Sequence, residues 1–176
     1  MKTHPGVAFA LLVGLPFIMA AWASCAPGVT AATDNEYAKH FGALSKLSVA
    51  VAEAMPADEY AFRPDPGSMT FGELMSHIAM TNYAFCAGLK DVAAPQMPSP
   101  SDKAGIVKLL SDSFEYCSGV IDNMSEEQLG KAHDSPDGRM PGREVLLAMY
   151  VHVAHHRGQA EIYLRDKGIK PPPYRV

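Results

Sequence analysis

The sequence of 176 residues lacks the features that define several large classes of protein. Only 19% of its residues are charged, its formal net charge is -4, and Lys and Arg form no block. This disfavours nucleic-acid binding through a phosphate-neutralising surface. Three cysteines are too few for a disulfide scaffold, and Gly 14 with Pro 14 falls short of a low-complexity composition. A hydrophobic fraction of 48% instead predicts one packed domain.

The N-terminal segment is predicted to be a signal peptide, separate from the fold. Lys2 is its only formal charge, residues 7–23 are almost wholly apolar, and small residues follow. A basic start, an apolar run and small residues are typical of secretory signals. We expect residues 1–31 to be a signal peptide, with cleavage between positions 23 and 32. The mature chain is then periplasmic or secreted, with no membrane attachment.

Two alternatives for this segment stay open. An uncleaved anchor is less favoured, because the apolar run contains Gly14 and Pro16 and falls short of the roughly 20 residues of a spanning helix. Cleavage before Cys25 would produce a lipid anchor, although Trp22 occupies a position where such sites prefer Leu.

Apolar residues at spacings of three and four predict four long helices in residues 34–176. Capping boxes at Thr70-x-x-Glu73 and Ser125-x-x-Gln128 mark two helix starts, and Gly168 suits a helix end. No segment alternates as a strand does. The predicted fold is an all-α four-helix bundle with a short extra helix before the last long one. The predicted long helices cover residues 34–55, 70–89, 102–124 and 143–167.

Three of the seven histidines fall within five residues of the last predicted helix. At 100° per residue, His152 and His156 lie on its buried face one turn apart, where two imidazoles can share one metal ion. His77 lies on the apolar face of the second helix, and bundle metal sites combine facing helices. These three are the predicted metal ligands, with an open coordination position for water. The alternative is that they are hydrogen-bonded core residues.

Other polar residues of this region have less specific roles. His155 lies at the edge of the buried face, and Gln159 lies on that face. Both are candidates to orient the metal ligands by hydrogen bonds. Arg157 is predicted to be an exposed helix residue, and His40 and His133 are predicted to lie on the surface.

Cys86 and Cys117 lie on consecutive predicted helices. An oxidising compartment would permit a disulfide between them, worth roughly 3 kcal/mol in the chain-entropy model. The alternative is that both are small buried apolar residues.

Three segments resemble the DinB-like superfamily, including its YfiT-like members. They are FRPDPG at 62–67 with TFGELMSH at 70–77, HVAHHRGQ at 152–159, and YLRDKG at 163–168 leading to PPPY at 171–174. The resemblance implies a metal-binding four-helix bundle whose ligands correspond to His77, His152 and His156. It also implies a homodimer.

The resemblance implies a family whose characterised members include thiol-dependent transferases and isomerases, while many members have no known activity. We therefore expect an exported metal-dependent enzyme with hydrolase or thiol-transferase-like chemistry on an unknown small molecule. The ion would be zinc, nickel or iron, because imidazole suits each of them. Export disfavours a cytosolic thiol cosubstrate. The alternative function is a non-catalytic, stress-associated bundle that the metal stabilises.

Overall fold

The computed structural model describes residues 1–2 and 35–174. The predicted signal peptide at 1–31, with its cleavage sites and Cys25, therefore lies outside the described residues. In the described part, one compact unit contains the helices and one short strand pairing. These elements are α1 (Glu36–Ala54), a 3-10 turn (Ala57–Glu59), α2 (Phe71–Leu89), α3 (Lys103–Ile121), α4 (Glu126–Gly130), β1 (Ala132–His133), β2 (Met140–Pro141) and α5 (Gly142–Asp166).

The four long helices form the predicted bundle, with α4 as the short extra helix. Helix α2 packs against α3 and α5, and α1 packs against the same two helices. Helices α1 and α2 therefore occupy opposite corners, and the connection between them crosses one end of the bundle. This arrangement makes α2 and α5 neighbours, which brings the predicted histidine positions onto facing helices.

Local sequence signals account for the helix ends. Both predicted capping boxes are present, at Thr70 with Glu73 and at Ser125 with Gln128. Each satisfies backbone amides that lack partners in the first turn of a helix. Gly168 follows α5 with a φ of 70°, the left-handed conformation that favours glycine. The ends of the observed long helices lie within three residues of the predicted ends, and the end of α2 coincides with its prediction.

The core is filled by aromatic and aliphatic side chains from all four long helices. Four of its phenylalanines are 1% exposed or less: Phe41, Phe71, Phe85 and Phe114. Tyr37, by contrast, is 36% exposed. It lies in the first turn of α1, where its backbone carbonyl accepts a hydrogen bond from the Tyr150 hydroxyl.

The segment before α5 differs from the prediction. It was expected to be a polar turn with His133 on the surface, but β1 and β2 pair there and His133 is only 1% exposed. The imidazole lies between the Gln128 carbonyl, 2.9 Å away, and the Asp91 carboxylate, 3.2 Å away. Gly88 allows this hairpin to approach α2, because a Cβ there would lie 2.0 Å from the Asp134 carbonyl oxygen.

Within residues 35–174, every helix is too short or too polar to cross a bilayer.

Candidate metal centre

Three histidine rings meet where α2 packs against α5. His77 comes from the first half of α2, and His152 and His156 lie one turn apart on α5. Ring centroids are 5.0 Å apart for His77 and His152, 4.6 Å for His77 and His156, and 4.4 Å for His152 and His156. One nitrogen from each ring lies within 4.8 Å of the other two, and all three residues are half-buried. The structure thus brings together the three predicted ligands.

The Nδ1 atom of His152 faces a hydroxyl group. Thr81 Oγ1 lies 3.3 Å from it and is also 2.8 Å from the His77 carbonyl oxygen. The Thr81 hydroxyl has one hydrogen, which it donates to a backbone carbonyl, so its oxygen accepts from His152 Nδ1. This hydrogen bond places the proton of the neutral imidazole on Nδ1 and leaves a lone pair on Nε2.

The Nδ1 atom of His156 faces an amide. It lies 2.8 Å from Gln159 Oε1, while Gln159 Nε2 lies 3.1 Å from Nε2 of His155. Because the amide nitrogen can only donate, it donates to His155, and the amide oxygen accepts from His156 Nδ1. His155 and Gln159 therefore form a chain of hydrogen bonds that leaves His156 Nε2 with its lone pair.

The Nε2 atoms of His77 and His152 face one another. His77 Nε2 and His152 Nε2 are 3.0 Å apart, so His77 donates to the unprotonated nitrogen of His152. Two ligands at 2.0–2.1 Å on a tetrahedral zinc ion lie about 3.3 Å apart, close to this separation. The three residues therefore fit a divalent metal ion in donor type and spacing.

Burial favours the neutral forms of His77 and His152. Loss of hydration, followed by the neighbouring His156 and His77, lowers the pKa of His152 to about 4. Burial and then His156 also lower the pKa of His77 below its ordinary value. Neutral imidazole is the form that binds metals. Neither ring therefore has to be converted from the charged imidazolium form before a metal binds. Within residues 35–174, no carboxylate or thiol joins this group of three.

The residues around the cluster match the predictions in part. His155 is exposed and outside the group of three, and Gln159 contacts both His155 and His156, as expected of orienting residues. The prediction for Arg157 is wrong: its side chain is only 12% exposed and pairs with Glu161. The C-terminal segment covers it, since the Tyr174 ring lies 5.7 Å from the guanidinium carbon.

Thr81 is the residue at this site that the sequence analysis missed. Its position on the inner face of the second helix indicated packing, and its hydrogen bond to His152 depends on the register between α2 and α5. Of the two histidines predicted to lie on the surface, His40 is exposed as expected.

A disulfide joins the second and third helices near the site. Cys86 and Cys117 are bonded, as predicted, and both are fully buried. The neighbouring Phe85 ring lies 6.0 Å from the His152 ring. The bond therefore fixes α2 against α3 directly behind the face of α2 that meets α5.

Comparison with known proteins identifies the family. The model of the DinB superfamily matches residues 40–160, which is more than half of the chain. The chain therefore belongs to the DinB superfamily.

Individual relatives share its sequence and fold. The uncharacterized protein YjoA of Bacillus subtilis is 27% identical over 145 residues, covering 80% of this chain and 94% of YjoA. The crystal structure of YjoA, a DinB-like protein, superimposes with a TM-score of 0.70 at 25% identity, covering 80% of this chain and 98% of that one.

Two more distant structures show the same fold. YfiT of Bacillus subtilis, described as a probable metal-dependent hydrolase with an unusual four-helix bundle topology, has a TM-score of 0.61 at 16% identity, covering 78% of this chain and 91% of YfiT. A mycothiol-dependent maleylpyruvate isomerase has a TM-score of 0.58 at 15% identity, covering 70% of this chain and 58% of the isomerase.

Proposed function

We propose that this protein is a metal-dependent hydrolase that binds one divalent ion through Nε2 of His77, His152 and His156. The main supporting observation is that the three rings converge. In addition, Thr81 accepts a hydrogen bond from Nδ1 of His152, and Gln159 accepts one from Nδ1 of His156. Hydrogen bonds that fix the tautomer of a metal ligand are typical of built metal sites, and they are harder to explain for a packing cluster. The description of YfiT as a probable metal-dependent hydrolase supports the same chemistry.

The side chains prepare the site for hydrolysis. His77, His152 and His156 would hold the ion and leave one coordination position open, where a bound metal would lower the pKa of water to about 7 or polarise a carbonyl oxygen. Thr81 and Gln159 hold two ligand rings in the binding tautomer. The half-buried setting raises the strength of electrostatic interactions relative to bulk water. The disulfide between Cys86 and Cys117 holds α2 in place, which limits the movement of His77.

Two other functions remain as alternatives to hydrolysis. Thiol-transferase-like chemistry is supported by the mycothiol-dependent isomerase that shares the fold. A non-catalytic role, in which the ion stabilises a stress-associated bundle, is supported by the contact between His77 and His152, because a shared ion there would cross-link α2 and α5. The non-catalytic role predicts that the melting temperature falls strongly when the metal is removed. It also predicts that the metal binds no exchangeable water.

Metal content tests the proposal. The protein would be purified without metal-affinity steps and its metals measured by plasma mass spectrometry, beside a His152→Ala/His156→Ala double variant and the surface control His40→Ala. We expect about one equivalent of zinc, nickel or iron in the wild type and in the control, and none in a double variant that remains folded by circular dichroism. A wild type that binds no metal after incubation with each of the three ions would contradict the proposal.

The proposed compartment is the periplasm or the exterior of the cell. The charge and hydropathy pattern of residues 1–31 and the bond between Cys86 and Cys117 support export, because disulfides persist in oxidising compartments. Mass spectrometry of the protein from fractionated cells tests this. A chain shortened to begin between positions 23 and 32 is expected, and a full-length chain in the cytosol would contradict export.

A further inference from the structure

A cavity lies beside the histidine cluster, and the proposed hydrolase function assigns no role to it. It has a volume of about 390 Å³ and lies between α5 and the segment that precedes α2. This volume is within the usual range of ligand pockets. His156 and Gln159 form one side of it, so the cavity borders one of the three proposed metal ligands.

The lining of this cavity is uncharged. Apart from its edge at His156, it is formed by apolar side chains, a hydroxyl and an amide: Met69, Leu74, Ile162, Ser68 and Gln159. Leu74 is 1% exposed, whereas Met69 and Ile162 are 38% and 51% exposed. An apolar group bound between Met69 and Ile162 would remove the surfaces of both side chains from water, which is energetically favourable.

The wall opposite α5 is held in place by its own hydrogen bonds. Asp65 accepts from the Gly67 amide at 2.8 Å and from the Ser68 hydroxyl. The Tyr163 hydroxyl donates to the Met69 carbonyl at 3.0 Å, which ties the wall to α5. The proline-rich motif at 62–67 therefore produces a rigid wall, and a preformed wall reduces the entropy lost when a ligand binds.

A second depression borders the site on the side of His152 and His155, with a volume of about 600 Å³. It differs in chemistry, because Asp137 and Glu144 contribute carboxylates to its lining. Leu147 and Val151, which also line it, are 63% and 60% exposed. The two depressions border the same histidine cluster but differ in charge, because only the second is lined by carboxylates. Variants of the second depression can therefore serve as controls for variants of the first.

We propose that the uncharged cavity binds the apolar part of the substrate, an alkyl or acyl chain attached to the group that reacts at the metal. The proposal rests on the function proposed above, since the metal defines where the reacting group lies. Met69 and Ile162 are the residues that determine specificity, with Leu74 as the floor. A negative charge at the far end of the chain is disfavoured, because its carboxylate would lose hydration without gaining a cation.

Binding of alkyl hydroxamates to the metal-loaded protein tests this. The hydroxamate is a metal-binding group, and acetohydroxamate, butyrohydroxamate and hexanohydroxamate differ only in chain length. We expect the affinity measured by calorimetry to rise about fourfold for each added methylene that is buried. The monohydroxamate of adipic acid, which ends in a carboxylate, is expected to lose this gain.

Two pairs of variants locate the binding surface. Met69→Ser and Ile162→Ser are expected to flatten the dependence on chain length, and both residues are exposed enough for the variants to fold. Leu147→Ser and Val151→Ser change the other depression and are expected to preserve the dependence. An affinity independent of chain length in the wild type would overturn the proposal, as would a dependence that only the second pair abolishes.

A protein that has no metal site would give a result different from that of a protein whose cavity does not bind the alkyl chain. No hydroxamate would then bind, acetohydroxamate included, and the protein would take up no metal. The cavity is tested separately in the metal-free protein by adding hexanamide and following methyl resonances by NMR. Shifts of the Met69 and Ile162 methyl groups larger than those of Leu147 and Val151 support the cavity as an apolar binding site. Equal or absent shifts overturn it.

Discussion

Replacing Gln159 with Leu tests the hydrogen-bond chain that fixes the tautomer of His156. The variant removes an acceptor 2.8 Å from His156 Nδ1 while keeping a side chain of similar volume and helix propensity. Gln159 is exposed, so the change leaves the core intact. Without the acceptor, the proton of His156 can occupy Nε2, the atom proposed to bind the metal. Loss of such a partner lowers metal affinity about 10- to 100-fold, or about 1.4 to 2.7 kcal/mol.

The matched variant Gln159→Glu separates the hydrogen bond from other effects. A carboxylate still accepts from His156 Nδ1, so we expect metal affinity to return to within a few-fold of the wild type. Affinity would be measured at neutral pH by competition with a chromophoric chelator, and His40→Ala provides the surface control.

The tautomer itself can be observed in the metal-free protein. Nitrogen-15 NMR of labelled histidine is expected to show His156 protonated at Nδ1 in the wild type and shifted toward Nε2 in Gln159→Leu. The reasoning is refuted if Gln159→Leu and the wild type have the same tautomer and the same metal affinity, while His156→Ala loses the metal.

Three further predictions concern other parts of the fold. Thr81→Val keeps the shape of the side chain and removes the acceptor of the neighbouring metal-site imidazole, so metal affinity in the same competition assay should fall about tenfold; no change would contradict the role of Thr81. Reducing the bond between Cys86 and Cys117, which are 31 residues apart, should lower the free energy of unfolding by about 3–4 kcal/mol in urea titrations; a loss below about 1 kcal/mol would contradict the entropic argument. Lys131 and then a buried imidazole lower the pKa of Asp91, so its carboxylate stabilises the fold above the unfolded pKa of about 3.9, and this stability is lost as the pH falls through the lower folded pKa. Asp91→Asn, which tolerates the φ of 55° at this position, should therefore destabilise the protein at neutral pH and much less at a pH below the lowered pKa of Asp91; an equal loss at both pH values would contradict the charge effect.

Much of the fold follows from local sequence signals. Helix period, capping boxes and proline-rich connections depend on residues close together in the chain, so the four helices and the short α4 were predicted to within a few residues. The same period placed His152 and His156 on one face, because this depends only on the geometry of α5.

The parts that sequence could not predict depend on distant contacts. His133 is buried because Asp91, on a segment far away in the chain, supplies a partner for its imidazole. Arg157 is covered by the C-terminal segment, which returns along α5 to Tyr174. Thr81 acquires its role only when α2 and α5 take one particular register. Each case requires the tertiary arrangement, which no local pattern specifies.

The most direct test of the metal centre is anomalous X-ray scattering from crystals of the protein loaded with zinc, collected at the zinc edge. We predict one strong peak per chain, at about 2.0–2.2 Å from Nε2 of His77, His152 and His156. A peak bound through Nδ1 of these rings, a peak at His155 or elsewhere on the surface, or no peak in crystals soaked with zinc would contradict it.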